Sequence, residues 1–147
     1  MMKRIDIMIW KYLIDDRGEY VSSIDMCREL GLSRRQLLTR ITKLRYPHVV
    51  KDADAGERMA YFKLDCDAAE AQACTVQLLS QYYNCPQTSI NTLINAVPTD
   101  RSITLDEIDT MGNDFSMKDL INIMSMIPCI EVTKTWSKNR YRRLADV

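Results

Sequence analysis

The stretch 23–44, SIDMCRELGLSRRQLLTRITKL, limits the fold more than any other part of the chain. It spells two short helices with almost no chain between them. Ser22 or Ser23 can cap the first helix, and Ile24, Cys27 and Leu30 recur at helical spacing to give it one apolar stripe. Gly31 then supplies the left-handed backbone that ends a helix at little steric cost. Ser33 followed three residues later by Gln36 is a capping box, and Leu37, Leu38, Ile41 and Leu44 mark the buried side of the second helix. Helices this short are marginal alone, so both must bury their stripes against a third element.

At about 100° per residue, that buried side turns Arg35, Gln36, Thr39 and Lys43 outward, with Arg40 and Thr42 on the flanks. No acidic residue interrupts the face. Arginine and lysine can donate to guanine acceptors or to phosphates, glutamine can pair with adenine, and threonine offers either a hydrogen bond or a methyl contact. Ser33 and Arg34 open the helix, and Arg34 projects toward the core side, where it reaches a phosphate or a neighbouring helix more easily than a base. The pattern is that of a helix-turn-helix.

The flanking segments fit round this pair. Residues 3–16 read as a helix with Ile5, Ile9, Tyr12 and Leu13 on one side and Met8 widening the band, and it is expected to pack beneath the two helices that follow. Arg17-Gly18-Glu19 breaks it, and Tyr20-Val21 form a short strand. After Leu44 the period changes: Val49 and Val50 open one strand, residues 52–57 make a polar loop with Gly56, and residues 59–64 return as a second strand.

Helix, short strand, helix, turn, helix and hairpin over residues 3–65 resemble the winged helix-turn-helix domains of prokaryotic transcription regulators. The resemblance implies that helix 34–44 enters the major groove of double-stranded DNA while the hairpin, or wing, touches a phosphate or the minor groove. Lys51, Arg58 and Lys63 are the matching wing cations. Asp52, Asp54 and Glu57 occupy the same wing and oppose phosphate contact.

Residues 68–83, AAEAQACTVQLLSQYY, have high helix propensity and a stripe of Ala71, Cys74, Leu78 and Tyr82, which suits either a linker helix packed on both halves or a helix that pairs with its mate in a homodimer, the second being favoured. Beyond Asn84-Cys85-Pro86 the first pattern returns. Ile9 and Leu13 find counterparts in Ile90 and Ile94, Val21 in Ile103, Gly31 in Gly112, and Leu37, Leu38, Ile41 and Leu44 in Leu120, Ile121, Met124 and Ile127, at an offset between 80 and 83. Thr104 with Glu107 and Ser116 with Asp119 repeat the caps, and strands at 130–133 and 141–144 flank a loop. The expected architecture is therefore mainly α with small β-hairpin wings, a tandem winged helix with domains at 1–65 and 85–147 joined by residues 66–84.

The copies differ in chemistry. The second helix of the second pair is expected to expose Lys118, Asp119, Asn122, Ser125 and Met126, a mixed face suited to a protein partner. Its wing carries Lys134, Lys138, Arg140, Arg142 and Arg143 beside Trp136 and Tyr141, a second basic patch for DNA.

The 147 residues carry no formal net charge, but residues 1–65 hold 13 Lys and Arg against 10 Asp and Glu, so the basic excess lies with the helix-turn-helix. Five cysteines without a C-x-x-C pair, and no signal peptide, fit a reducing cytoplasm and no structural metal. The apolar runs are too short for a membrane span. With one histidine, His48, and no phosphate loop or nucleophile motif, neither catalytic residues nor a cofactor are expected. The expected function is sequence-specific binding of double-stranded DNA as a transcription regulator. Two other functions fit the pattern: a protein-interaction scaffold of the chromosome-segregation type, and a plasmid or phage replication initiator.

Overall fold

The computed structural model describes residues 2–52, 60–113 and 115–144. It is a mixed α and β structure in two compact units, Met1–Asp67 and Ala68–Val147. Among the described residues there are seven helices and two three-stranded antiparallel sheets.

The first unit runs α1 (Arg4–Asp15), β1 (Val21–Ser22), α2 (Ser23–Leu30), α3 (Arg34–Leu44), β2 (Val49–Asp52) and β3 (Tyr61–Leu64). Local signals set the helix ends. Ser22 Oγ accepts from Asp25 N, and Gly31, in the left-handed region at φ 68°, closes α2. At α3, Ser33 Oγ accepts from Gln36 N at 3.1 Å while Gln36 Oε1 accepts from Ser33 N at 2.9 Å, so the capping box is complete. Ser23 does something else. Its buried hydroxyl accepts from Ala60 N and its own N–H donates to Ala60 O, which ties α2 to the start of β3.

In the sheet β3 is central, between β1 and β2. The register Val21↔Phe62 and Lys51↔Phe62 places Phe62 and Leu64 on the core face, with Tyr61 and Lys63 on the other. Trp10, Leu13, Met26, Leu37, Phe62 and Leu64 are fully or almost fully buried, each aliphatic or phenyl group adding about 1.5–3 kcal/mol relative to exposure.

The helix faces differ from expectation. On α1 the buried residues are Asp6, Ile7, Ile9, Trp10 and Leu13, and Met8 is exposed. On α2 Met26 enters the core and Ile24 is 49% exposed. On α3 Leu37 and Arg40 are buried, while Leu38, Ile41 and Leu44 are half-buried. For α1 and α3 the physical reason is an ion pair at the centre of the unit. Arg40 Nε donates to Asp6 Oδ1 at 2.7 Å and its Nη2 to Oδ2 at 2.6 Å, a forked contact on a carboxylate with no exposed surface. Tyr46 Oη donates to Asp6 O at 3.0 Å, and the Tyr46 ring stacks on Trp10 with centroids 6.1 Å apart. The bond to Asp6 holds the Arg40 guanidinium above its ordinary pKa, while burial first and then the carboxylate push the Tyr46 phenol up, so Arg40 stays charged and Tyr46 neutral.

The second unit runs α4 (Ala68–Tyr83), α5 (Gln87–Ala96), β4 (Ile103–Thr104), α6 (Leu105–Thr110), α7 (Met117–Met126), β5 (Ile130–Lys134) and β6 (Asn139–Arg143). From α5 onward its elements follow the first unit's order, and its sheet order β4-β6-β5 matches β1-β3-β2. Thr104 and Ser116 cap α6 and α7, and Gly112 has φ 81°. Helix α4 packs against α5, and Gln72 Oε1 accepts from Cys129 N at 3.3 Å. Most of the stripe of α4 is already covered within the chain: Ala71, Cys74 and Leu78 are buried, with Val76 and Leu79 beside them, and Tyr82 is half-buried, leaving Ala69, Glu70, Ala73, Gln77 and Gln81 exposed. On α7 Leu120, Ile123, Met124, Met126 and Ile127 are buried and Ile121 faces out, so the helix is turned from the expected 120, 121, 124, 127 face.

Removing one partner of a buried pair leaves an uncompensated charge, so Asp6→Ala and Arg40→Ala are each expected to destabilise the first unit by about 3–5 kcal/mol. Urea unfolding followed through the emission of buried Trp10 measures this. The double variant Asp6→Leu with Arg40→Met is expected to recover most of the loss; single variants as stable as the parent would exclude a buried pair.

Candidate nucleic-acid interface

Helix α3 presents its polar side to solvent. Ser33, Arg34, Arg35, Gln36, Thr39, Thr42 and Lys43 are exposed, with no carboxylate among them. Among the described residues no salt bridge engages Arg34, Arg35 or Lys43. The Ser33 hydroxyl and the Gln36 carbonyl are occupied by the capping box. Gln36 therefore offers its amide donors outward but needs to release the cap before it can pair with adenine through both ends. Arg34 lies near Cys27, whose thiol is pushed up by burial and drawn part of the way back by the guanidinium.

Two clefts border this face. One is lined by Lys3, Ile5, Ser33, Arg35, Gln36, Thr39 and Arg40, between the start of α1 and the start of α3. The other is lined by Leu38, Ile41, Thr42, Arg45, Tyr46, Val49, Lys51 and Phe62, between α3 and β2. They add two cations that the helix period does not show. Lys3 arrives because Asp6, three residues on, is bonded to Arg40; Arg45 is carried round by a left-handed backbone at φ 49° just past the helix end.

Two expected contacts change, and a third falls outside the described residues. Arg40 is only 9% exposed and is committed to Asp6, so it positions α3 rather than facing a phosphate. Lys63 stands on the sheet face opposite Phe62, its Nζ 4.7 Å over the Tyr20 ring, so it does not join Lys51 beside α3. Arg58, with Asp54, Gly56 and Glu57 of the expected loop, lies outside the described residues.

In the second unit the counterpart face is less polar than expected. Lys118 and Ser125 are exposed and Asp119 and Asn122 half-buried, but Met126 lies in the core, and Met111, Met117 and Ile121 are exposed instead. Most hairpin cations have partners. Arg140 donates to Ser102 Oγ and Ser102 O at 3.0 Å, Arg143 Nε to Val97 O at 3.0 Å, Arg142 pairs with Glu131 at 3.5 Å, and Lys138 with Asp106 at 3.2 Å. Lys134 remains exposed at the end of β5.

Among the described residues no helix is long and apolar enough to cross a membrane, and no three His, Cys, Asp or Glu side chains converge as metal ligands. No protein-family model, curated protein or solved structure matches this chain.

The two kinds of arginine on β6 are expected to separate by mutation. Arg143→Ala removes a half-buried, charge-assisted bond to a main-chain carbonyl and is expected to lower the stability of the second unit by about 1.5–3 kcal/mol. Arg142→Ala breaks only an exposed pair, for which about 0.5 kcal/mol or less is expected. Thermal unfolding of the two variants checks the order, and equal losses would exclude the structural role assigned to Arg143.

Proposed function

We propose that the first unit is a winged helix-turn-helix that binds double-stranded DNA in a sequence-dependent way, and that the protein acts as a transcription regulator. One observation carries this reading: the solvent-facing, capped, acid-free side of α3, framed by cations on both sides. Eleven residues of helix are about 16 Å long, and the helix itself is narrow enough for a major groove about 12 Å wide. Arg35, Thr39 and Lys43 would meet base edges, with Gln36 joining through its amide. Arg34, Lys3, Arg45 and Lys51 would hold the backbone on either side. A homodimer would set two such helices on half-sites about one helical turn apart, but α4 has little free apolar surface for its seam, so another surface would have to pair.

The second unit would use the same scaffold as a second winged helix, and its surface favours a different partner. Met111, Met117 and Ile121 are exposed round the α6–α7 turn, at the places held in the first unit by half-buried Leu30, exposed Arg34 and half-buried Leu38. Such a face suits a protein, as in the interaction-scaffold alternative.

Selection from a library of random-sequence duplexes tests the main reading. Enrichment of a common site, with a steep fall in affinity as salt rises, is expected. Arg35→Ala is expected to weaken binding to the enriched site by about 1–3 kcal/mol and to relax preference at one base pair, while Lys51→Ala is expected to weaken all sequences alike and flatten the salt slope by about one. A protein that enriches nothing and binds no duplex at low salt would end this reading.

A further inference from the structure

The hairpin of the second unit ends in a residue that neither the fold nor the duplex reading uses. We propose that Trp136, at the tip of the β5–β6 hairpin between Lys134 and Lys138, is a stacking site for an unpaired nucleobase. It involves none of the α3 residues assigned to duplex DNA.

Trp136 is 101% exposed, so both faces of its indole meet solvent, whereas the chain's other tryptophan, Trp10, has no exposed surface. The tip that carries it is built. Lys134↔Asn139 is the last pair of the ladder, Thr135 N donates to Lys138 O at 3.2 Å, and Lys138 N donates back to Thr135 Oγ1 at 3.0 Å. These bonds close the turn beneath Trp136 and Ser137 and hold the ring away from the sheet. The side chain is therefore presented by an ordered turn.

Its surroundings narrow the partner. Residues 130–143 carry five Lys and Arg against one Glu, which favours an anionic ligand. Arg140, Arg142 and Arg143 are tied to Ser102, Glu131 and Val97, so the cations left at the tip are Lys134 and Lys138. The Lys138–Asp106 pair is exposed on both sides, and such a pair exchanges readily for a phosphate. Thr135, Ser137, Lys138 and Asn139 are exposed and polar, so the ring's neighbours along the turn add no apolar surface to extend a protein or lipid contact. A lone flat aromatic with a lysine two residues away on either side matches the alternation of base and phosphate along a single strand. Stacking inside a duplex would first have to open a base step, whereas an unpaired base requires no such opening.

The test uses the full chain and its own fluorescence, with buried Trp10 as an internal reference that acrylamide does not reach. The probes are a mixed-sequence single-stranded oligonucleotide, its blunt duplex, and vesicles of anionic phospholipid, each at low salt. With the single strand, saturable quenching of the exposed emission and protection of Trp136 from acrylamide are expected. Trp136→Ala is expected to weaken single-strand binding about ten-fold or more, Trp136→Phe to retain most of it, and both to leave Trp10 emission and duplex affinity unchanged. Single-strand binding that ignores Trp136→Ala, no single-strand binding at all, or protection of Trp136 only by the duplex or only by vesicles would each overturn the proposal. Duplex binding is scored separately: its absence alongside single-strand protection would end the duplex reading of α3 and leave Trp136 standing, and its presence with Trp136 still open to acrylamide would do the reverse.

Discussion

The first unit is arranged round a carboxylate that meets no water. Asp6 has no exposed surface, and its two oxygens are taken up by the fork of Arg40, with the Lys3 N–H at 2.6 Å as a further donor. Taking both charges out of water costs several kcal/mol per ion, and the attraction offsets that only in this bidentate geometry. A shift or rotation of α3 along α1 would break the fork and leave the charges unsolvated, whereas packed leucines would tolerate it. Tyr46 and Trp10 complete the same cluster from the far end of α3, through a hydrogen bond and a stacked ring. The pair thus fixes which residues α3 shows to solvent, and the outward set of Arg35, Gln36, Thr39 and Lys43 depends on it.

The repeat supplies a comparison inside the molecule. Aligning Leu37 with Leu120 and Ile9 with Ile90 puts Ile123 where Arg40 stands and Gln87 where Asp6 stands. Ile123 is fully buried and Gln87 is exposed at the start of α5. Cys129, also buried, takes the place of Tyr46, and its thiol is pushed up by burial, so it serves as a small apolar group. An apolar centre therefore suffices for this scaffold. The ion pair of the first unit is better understood as a device for position than as a source of stability, consistent with buried pairs being near neutral when exchanged for apolar groups of similar size.

This also explains how much of the fold can be read from residues alone. Caps and turns are legible because they are local: Ser33 with Gln36, Ser22, Thr104, Ser116, Gly31 and Gly112 act within a few residues of themselves. The order of elements follows from the same signals in both halves. The buried sides of α1 and α3 are not legible, since an arginine and an aspartate 34 residues apart each read as surface until their partner is known. In α2 eight residues are too few for a period to decide, and Ile24 reads as core where Met26 belongs. The α3 face is largely legible, apart from Arg40. Lys3 and Arg45 are not, because they reach it through tertiary packing and a left-handed residue rather than through helical spacing.

Charge counted along the chain misleads at the second hairpin for a related reason. Arg140 and Arg143 are half-buried struts, each spanning from β6 to the segment 97–102, and they close the strand over the end of α5. A guanidinium held at its Nε and Nη2 by Ser102 keeps its formal charge but offers few donors to a partner. Alternation along β6 accounts for Arg140: Tyr141 points into the core, opposite Val132 and Ile103, so Arg140 and Arg142 share the other face with the groups they bind, whereas Arg143, on the side of Tyr141, reaches Val97 O from the end of the strand. The first unit places its uncommitted cations on a helix, and the second uses most of its cations to hold its own sheet together. Two copies of one scaffold have thereby come to expose different chemistry, a basic helix in one and a methionine-rich helix turn with a tryptophan-tipped hairpin in the other, and identical topology gives no ground for assigning them the same partner.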